Sequence, residues 1–137
     1  MKTVVVDTNI LFAAMRTHNS AIRRILMNRS DCMFITCNFL IVEIFKHKER
    51  ILQKSPVSES EVLVFLEQVL SQIRFEHDKA ISTLNFMRAY RLVKEVDEKD
   101  MHFVALALEY DAELWTRDAK LKAELKRKGF DNFFKEK

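Results

Sequence analysis

Carboxylate side chains closely follow two predicted strands of this sequence. Asp7 comes after the apolar run 4–6 (VVV), which is typical of a strand buried on both faces, and Asp118 comes after the predicted strand 113–116 (ELWT). Parallel strands end at a common edge of their sheet, where open α/β sheets bind their ligands. An aspartate at this edge could hold a metal ion, accept a phosphoryl group or only cap the following helix.

Three more acidic residues stand near the ends or on the faces of predicted helices. Glu43 lies within the apolar stretch IVEIF, where a carboxylate is expected on the polar face, and Asp97 and Asp100 stand at the start of an apolar helix predicted over 100–110. Taken singly, these acids are explained as N-caps, turn residues or exposed helix positions. Together they favour one carboxylate site, because small polar residues accompany the acids: Thr8, Asn9, Asn38 and Thr116.

Carboxylates gathered in one cleft repel one another, so that without a cation some of them would keep their protons. Mg²⁺ or Mn²⁺ would let them ionise, because hard cations prefer oxygen ligands and keep several waters. Such a site suits hydrolysis of phosphodiester bonds, for which the metal orients and deprotonates a water molecule. No Ser-His-Asp or Cys-His set is apparent, and one glycine cannot build a Gly-rich phosphate loop.

Predicted strands and helices alternate along the chain, which indicates an α/β fold with a parallel sheet. The strands are predicted over 2–6, 33–36, 74–75 and 113–116. Helices are predicted over about 20–28, 38–50, 58–73, 78–94 and 100–110, with a last one from Asp118 to Gly129.

The composition predicts one soluble globular domain over residues 1–137. Hydrophobic residues make up 48% of the chain and charged residues 31%, and the net charge of +3 is compatible with a polyanionic partner. The two cysteines fit reduced thiols better than a zinc site or a disulfide framework. Without an apolar run long enough for a membrane span or a secretory signal, we expect no membrane association and a cytoplasmic protein.

The sequence resembles the PIN-domain family over nearly its whole length, most clearly in VVVDTNILFAAM (4–15) and DMHFVALALEYDAELWTRDAKL (100–121). The resemblance implies a three-layer α/β/α sandwich around a mostly parallel sheet of four to five strands. It also implies a Mg²⁺- or Mn²⁺-dependent ribonuclease, either the VapC-like toxin of a toxin–antitoxin pair or an RNA-processing enzyme.

The same resemblance implies which residues form the site. Its four acidic motifs match Asp7, Glu43, Asp100 and Asp118, which would hold the metal and carry out catalysis. Asp97 competes with Asp100 for the third position, and Asp100 is preferred because it begins a helix. The remaining motif residues would orient the carboxylates or a phosphate: Thr8, Asn9 and Thr116.

Basic residues near the acidic motifs are expected to contact RNA phosphates: Arg16, Lys120 and Lys122. His47, one turn after Glu43, could line the cleft but is interpreted as a surface residue, and Trp115 is interpreted as a core residue. Phe133 and Phe134 could cover an apolar surface; if exposed, they would form a docking surface for a second copy of the chain or for an antitoxin-like protein. The partners predicted from the sequence are therefore RNA, an antitoxin-like protein and a second protomer.

Two other functions compete with the nuclease prediction. Haloacid-dehalogenase-like phosphatases also begin with a strand that ends on Asp, but they need a second Asp two residues later as acid and base. That position is Asn9, which cannot protonate a leaving group. The second alternative is a catalytically silent PIN-like scaffold that binds RNA or protein, and the retention of all four acids favours activity over this scaffold.

Overall fold

The computed structural model describes residues 1–15, 21–54 and 58–136. Within these ranges the strands are β1 (Lys2–Val6), β2 (Cys32–Cys37), β3 (Ile73–Glu76) and β4 (Glu113–Trp115). The α-helices in the same ranges are α1 (Thr8–Met15), α2 (Ala21–Asn28), α3 (Phe39–Lys54), α4 (Glu59–Leu70), α5 (Thr83–Val93), α6 (Met101–Tyr110) and α7 (Ala119–Arg127).

The strands form one sheet in the order β3-β2-β1-β4, and all neighbouring strands are parallel. This arrangement confirms the predicted parallel sheet. The three valines of β1 are fully buried, as their continuous apolar run predicts. β1 is a central strand, with β2 and then β3 on one side of it and β4 on the other. The crevice at the carboxyl ends of β1 and β4 is therefore a topological switch point.

Helices cover both faces of the sheet. On one side α1 packs against α2, α3 and α4, while on the other α6 packs against β1 and β2 and α5 packs against α6 and α7. The three-layer α/β/α sandwich predicted from the family resemblance is thus confirmed. None of the helices in the described ranges combines the length and the apolar character that a membrane crossing requires.

Several predicted boundaries differ from the observed ones. α3 continues to Lys54, beyond the predicted end at residue 50, and α4 ends at Leu70 because Ile73 already pairs with Phe34 in the sheet. The single helix predicted over 78–94 is wrong. A 3₁₀ turn over Asp78–Ala80 comes first, and the Ser82 hydroxyl accepts a hydrogen bond from the backbone N–H three residues later (3.2 Å), which starts α5 anew.

The caps predicted at the start of α4 and at the end of α7 agree with the structure. Ser58 accepts a hydrogen bond from the backbone N–H of Glu61 (3.2 Å), as a capping box requires. Gly129 follows the end of α7 with a φ of 97°, a left-handed conformation that suits glycine. The caps predicted at residues 19–20 and the break at 55–56 lie outside the described residues.

The C-terminal segment packs along β4 and covers its aromatic side chain. Trp115 is fully buried, which confirms its prediction as a core residue, and its indole N–H donates to Glu136 (2.9 Å). Phe134 is only 3% exposed because its ring packs against Trp115 and Phe34. Phe134 therefore covers an apolar surface, the first of its two interpretations, and Phe133 is half-buried.

Candidate active site at the carboxyl ends of the strands

Asp7 stands directly after the paired part of β1, since the preceding valine pairs with Trp115 of β4. Its Oδ1 atom accepts a hydrogen bond from the Ile10 N–H (3.0 Å) and so caps α1. The residue is 3% exposed, and this burial raises the pKa of its carboxyl to about 6, although hydrogen bonds from Thr116 and Ile10 act in the opposite direction. The side chain therefore caps a helix and lies at the sheet edge at once.

Asp118 has the same double role at the end of β4. Its Oδ1 atom accepts from the Leu121 N–H (3.0 Å) and caps α7, as predicted. The hydroxyl of Thr116 joins the two aspartates, because it accepts from the Asp118 N–H (3.2 Å) and hydrogen-bonds to the Asp7 carboxyl. Thr116 is buried, so this link is protected from water.

Glu43 lies on the buried side of α3, contrary to the expected polar, exposed position. It is 8% exposed, whereas its apolar neighbours Val42 and Phe45 are 57% and 73% exposed. One turn further along the helix, Nε2 of His47 lies 3.5 Å from Oε2 of Glu43. The carboxylate of Glu43 is thus enclosed and has a ring nitrogen beside it.

Asp97 and Asp100 use their carboxyl groups differently. Asp97 is exposed, and its Oδ1 accepts from the Lys99 N–H (3.0 Å), which caps the 3₁₀ turn Glu98–Asp100. Asp100 makes no capping hydrogen bond with its side chain, so its interpretation as a side-chain N-cap is wrong. Burial raises the pKa of Asp100 to about 7.

After burial, the charges of four neighbouring carboxylates are the other causes of this raised pKa, so these acids lie near Asp100. Listed in order of their effect, they are Asp7, Asp97, Asp118 and Glu43. The cleft beside them has a volume of about 150 Å³, and six of the predicted site residues line it: Asp7, Thr8, Asn9, Glu43, Asp97 and Asp100. The fold therefore brings together acids that are up to 111 positions apart in the chain, from Asp7 to Asp118.

Three cationic or ionisable side chains that the sequence analysis left out of the site also line this cleft: His47, Arg50 and Lys99. His47 was interpreted as a surface residue, but it is half-buried. A signal was present in the sequence, because positions 43, 47 and 50 fall on one helix face at i, i+4 and i+7. The spacing alone does not show whether this face of α3 lies at the cleft or faces solvent.

The basic residues predicted to contact RNA are not among the described residues that line the cleft. Lys120 is exposed in the first turn of α7. Lys122 is half-buried, and its Nζ atom lies 5.8 Å from the ring centre of Phe133. Arg16 lies outside the described residues, so the structure does not test its prediction.

The oxygen atoms of the cleft are compatible with a hard cation, but their spacing limits how many of them could bind the same ion. All acids that act on Asp100 offer oxygen ligands, and the buried Thr8 hydroxyl has no hydrogen-bond partner among the described residues. In the same residues, however, no three His, Cys, Asp or Glu side chains converge closely enough to hold one ion together. A magnesium ion would therefore be held by one or two carboxylates and complete its shell with water, as it commonly does.

Comparisons with known proteins agree with this fold. The family model described as a PIN domain matches residues 5–132. The VapBC2 structure from Rickettsia felis, bound to a DNA fragment from its promoter, is 16% identical with a TM-score of 0.64, over 88% of this chain and 92% of that one. PAE2754 from Pyrobaculum aerophilum is 17% identical with a TM-score of 0.64, over 91% of this chain and 81% of that one. None of the curated proteins matches significantly.

Proposed function

Because this chain belongs to the PIN-domain family, we propose that it is a metal-dependent endoribonuclease with a single nuclease domain over residues 1–137. The observation that carries the proposal is the gathering of acids at the switch point of the sheet. Asp7, Glu43 and Asp100 line one cleft, and the charges of the neighbouring carboxylates help to raise the pKa of Asp100. Acids that oppose one another's ionisation are stabilised by a divalent cation, which is also what phosphodiester hydrolysis needs.

We assign the binding of Mg²⁺ or Mn²⁺ to Asp7, Glu43, Asp100 and Asp118, directly or through water. When bound, the metal would orient and acidify a water molecule for attack on phosphorus and offset the charge on the leaving oxygen. Asp100 is preferred over Asp97 for the third position because its carboxyl is enclosed and does not cap a turn, whereas the Asp97 carboxyl does.

The neighbouring polar residues position these acids and the substrate. The Thr116 hydroxyl fixes Asp7 relative to Asp118, since it hydrogen-bonds to both residues. Thr8 lines the cleft, and its buried hydroxyl has no partner in the described structure, so it is available to orient a neighbouring carboxylate. Asn9 is exposed at the same cleft, where its amide can hydrogen-bond to the substrate.

Cleavage of RNA by the purified protein tests this proposal. We expect a mixture of single-stranded and structured RNAs to be cut in the presence of Mg²⁺ or Mn²⁺, and cleavage to stop when EDTA removes the metal. Gel electrophoresis of end-labelled RNAs measures both results, and re-addition of the metal after EDTA controls for damage to the protein. Cleavage that persists unchanged in EDTA would contradict the metal-dependent mechanism.

A catalytically silent scaffold that binds RNA or protein is the second candidate. It is favoured by the absence, in the described ranges, of three ligands that converge on one point. Calorimetric titration with Mn²⁺ distinguishes the two candidates, because the nuclease requires saturable binding that is weakened in Asp7→Asn. A folded protein that neither binds Mn²⁺ nor cleaves RNA would support the scaffold.

A toxin role would require an antitoxin-like partner, and we propose that this partner covers the apolar groove between α3 and α4. The groove has a volume of about 250 Å³, and at its rim Phe45 is 73% and Leu63 47% exposed. The structural similarity to VapBC2 supports a fold that is compatible with this role. We also propose that the protein acts in the cytoplasm, as predicted from the sequence. Binding of a second protomer to this groove is the competing outcome.

The product of a short gene that adjoins this one is the natural probe for the groove. We expect the two proteins to purify together, and Phe45→Ser to abolish the association while RNA cleavage stays unchanged. Tyr90→Ser, which alters an exposed aromatic residue on α5, serves as the matched control. Co-purification that Phe45→Ser does not weaken would contradict the assignment of the groove, and a dimer of this chain lost on Phe45→Ser would identify the second protomer as its occupant.

A further inference from the structure

We propose that Arg50, oriented by His47, binds a backbone phosphate of the RNA at the acidic cleft. This inference rests on the proposed ribonuclease function. It adds a contact with the substrate that the acidic residues of the site cannot make. A polyanion that approaches clustered carboxylates is repelled by them. A cationic group within the same cleft would offset part of this repulsion and hold the RNA in place.

One face of α3 presents three side chains to the cleft: Glu43, His47 and Arg50. Nη2 of Arg50 lies 3.3 Å from Nδ1 of His47, and Nε2 of His47 lies 3.5 Å from Oε2 of Glu43. The His47 ring also meets the Phe12 ring edge-on, with 6.0 Å between the ring centres. The imidazole is therefore held on three sides and stands between the guanidinium and the carboxylate.

The chemistry of the two side chains fixes which atom donates. Arginine has no acceptor, so Arg50 must donate and Nδ1 of His47 must accept. The ring proton is then on Nε2, where it faces Glu43. Arg50 therefore hydrogen-bonds to a ring nitrogen, and within the described residues it forms no ion pair with any of the carboxylates that share its cleft.

An arginine in this position is suited to a phosphate. Its planar guanidinium carries five N–H donors, of which His47 takes one, and two parallel donors match the oxygens of a phosphate. The contact with His47 spans three residues on an exposed stretch of helix, where such pairs add little to stability. Arg50 therefore adds little to the stability of the helix, and its free donors remain available at the cleft.

Binding of a fluorescein-labelled single-stranded RNA tests the inference. Ca²⁺ replaces Mg²⁺ in the assay because it prefers the same oxygen ligands, and a gel checks that the RNA stays intact. We expect Arg50→Gln to weaken binding about tenfold and to reduce the slope of log K against log salt by about 0.7, the loss of one phosphate contact on a single strand. Arg50→Lys should restore the slope and only part of the affinity, since lysine lacks the fork.

Two controls separate this contact from a general loss of charge or of structure. Arg88→Gln makes the same change at an exposed position on α5 and should leave affinity and slope as in the parent. His47→Leu should weaken binding with a nearly unchanged slope, because Arg50 keeps its charge and loses its orientation. His47→Asn should recover the affinity, because the amide oxygen can take the place of Nδ1.

The outcomes for this inference and for the proposed function are distinguishable. Arg50→Gln that binds with the affinity and slope of the parent overturns the inference even if the parent cleaves RNA, and so does a parent that binds no RNA. A folded parent that does not cleave RNA in Mg²⁺ or Mn²⁺ overturns the nuclease proposal alone. In that case a loss of affinity and slope specific to Arg50→Gln would still support the phosphate contact.

Discussion

Asp7→Asn and Asp118→Asn are each expected to lower the rate of RNA cleavage at least about 100-fold while leaving the fold intact. Loss of a residue that only orients a metal ligand already costs about 10- to 100-fold in affinity or activity, so loss of a ligand should cost more. Each substitution removes one negative charge and one oxygen ligand from the switch point of the sheet. Rates under single-turnover conditions, at matched protein and Mn²⁺ concentrations, measure the effect.

The fold should survive because both aspartates also cap helices, and asparagine caps as well as aspartate does. The amide oxygen of asparagine can still accept from the Ile10 N–H in one variant and from the Leu121 N–H in the other. Circular dichroism and thermal unfolding check this point. Asp111→Asn, at an exposed left-handed position (φ 48°) that asparagine tolerates, is the matched control and should cleave as the parent does.

Parent-like cleavage by folded Asp7→Asn and Asp118→Asn would contradict the assignment of both carboxylates. A loss of cleavage in only one of them would instead indicate which of the two is essential. In either case the caps remain, so the result reports on the chemistry at the sheet edge and not on the start of α1 or α7.

The double role of these aspartates explains why sequence reasoning reached the fold more easily than the site. The apolar run of β1 and the caps of α4 and α7 are local signals, and the structure confirms them. A cap and a metal ligand look the same in the sequence, because an aspartate at a strand end can serve as either. The structure shows which of these aspartates cap a helix with the side chain: Asp118 does, and Asp100 does not.

Glu43 illustrates what local patterns cannot predict. In the stretch IVEIF the local pattern alone indicated a glutamate on the polar face, and only the family resemblance assigned Glu43 to the site. In the structure Glu43 is buried and Phe45 is exposed. Which side of α3 is covered depends on how it packs on α1, and that contact joins distant parts of the chain. For the same reason the sequence alone could not decide whether His47 lies at the cleft or on the surface, and it gave no sign that Arg50 lies there too.

The raised pKa values of Asp7 and Asp100 predict that the metal-free protein loses stability as pH rises. Each carboxyl has an ordinary pKa of 3.8 in the unfolded chain, against about 6 for Asp7 and about 7 for Asp100 in the folded protein. Between about pH 4 and 7 the folded state therefore binds more protons than the unfolded state, so the free energy of unfolding falls across this range. Above about pH 7 both carboxyls are ionised in the folded protein, and the loss of stability has reached its full size.

Asp100→Asn should remove its share of this penalty. We expect the variant to be more stable than the parent by roughly 2 kcal/mol at about pH 8 and nearly as stable as the parent at about pH 4. One pKa unit corresponds to about 1.4 kcal/mol, and solvent reduces the effect because Asp100 is not fully buried. Urea unfolding in EDTA, followed by circular dichroism at both pH values, measures the difference. The same substitution should abolish cleavage, as expected where a site is kept at a cost to stability.

Added Mn²⁺ connects this stability difference to the proposed chemistry. A cation that binds the ionised cluster stabilises the folded parent by mass action, so Mn²⁺ should raise its unfolding temperature at about pH 8 and much less at about pH 5, where Asp7 and Asp100 hold their protons. The unfolding temperature of Asp100→Asn should rise only slightly on addition of Mn²⁺ at either pH. A parent whose stability does not change between about pH 4 and 7, or an equal response of the two proteins to Mn²⁺, would mean that these carboxylates do not act as one cluster. The four motifs would then be explained by their roles as caps and buried polar residues alone.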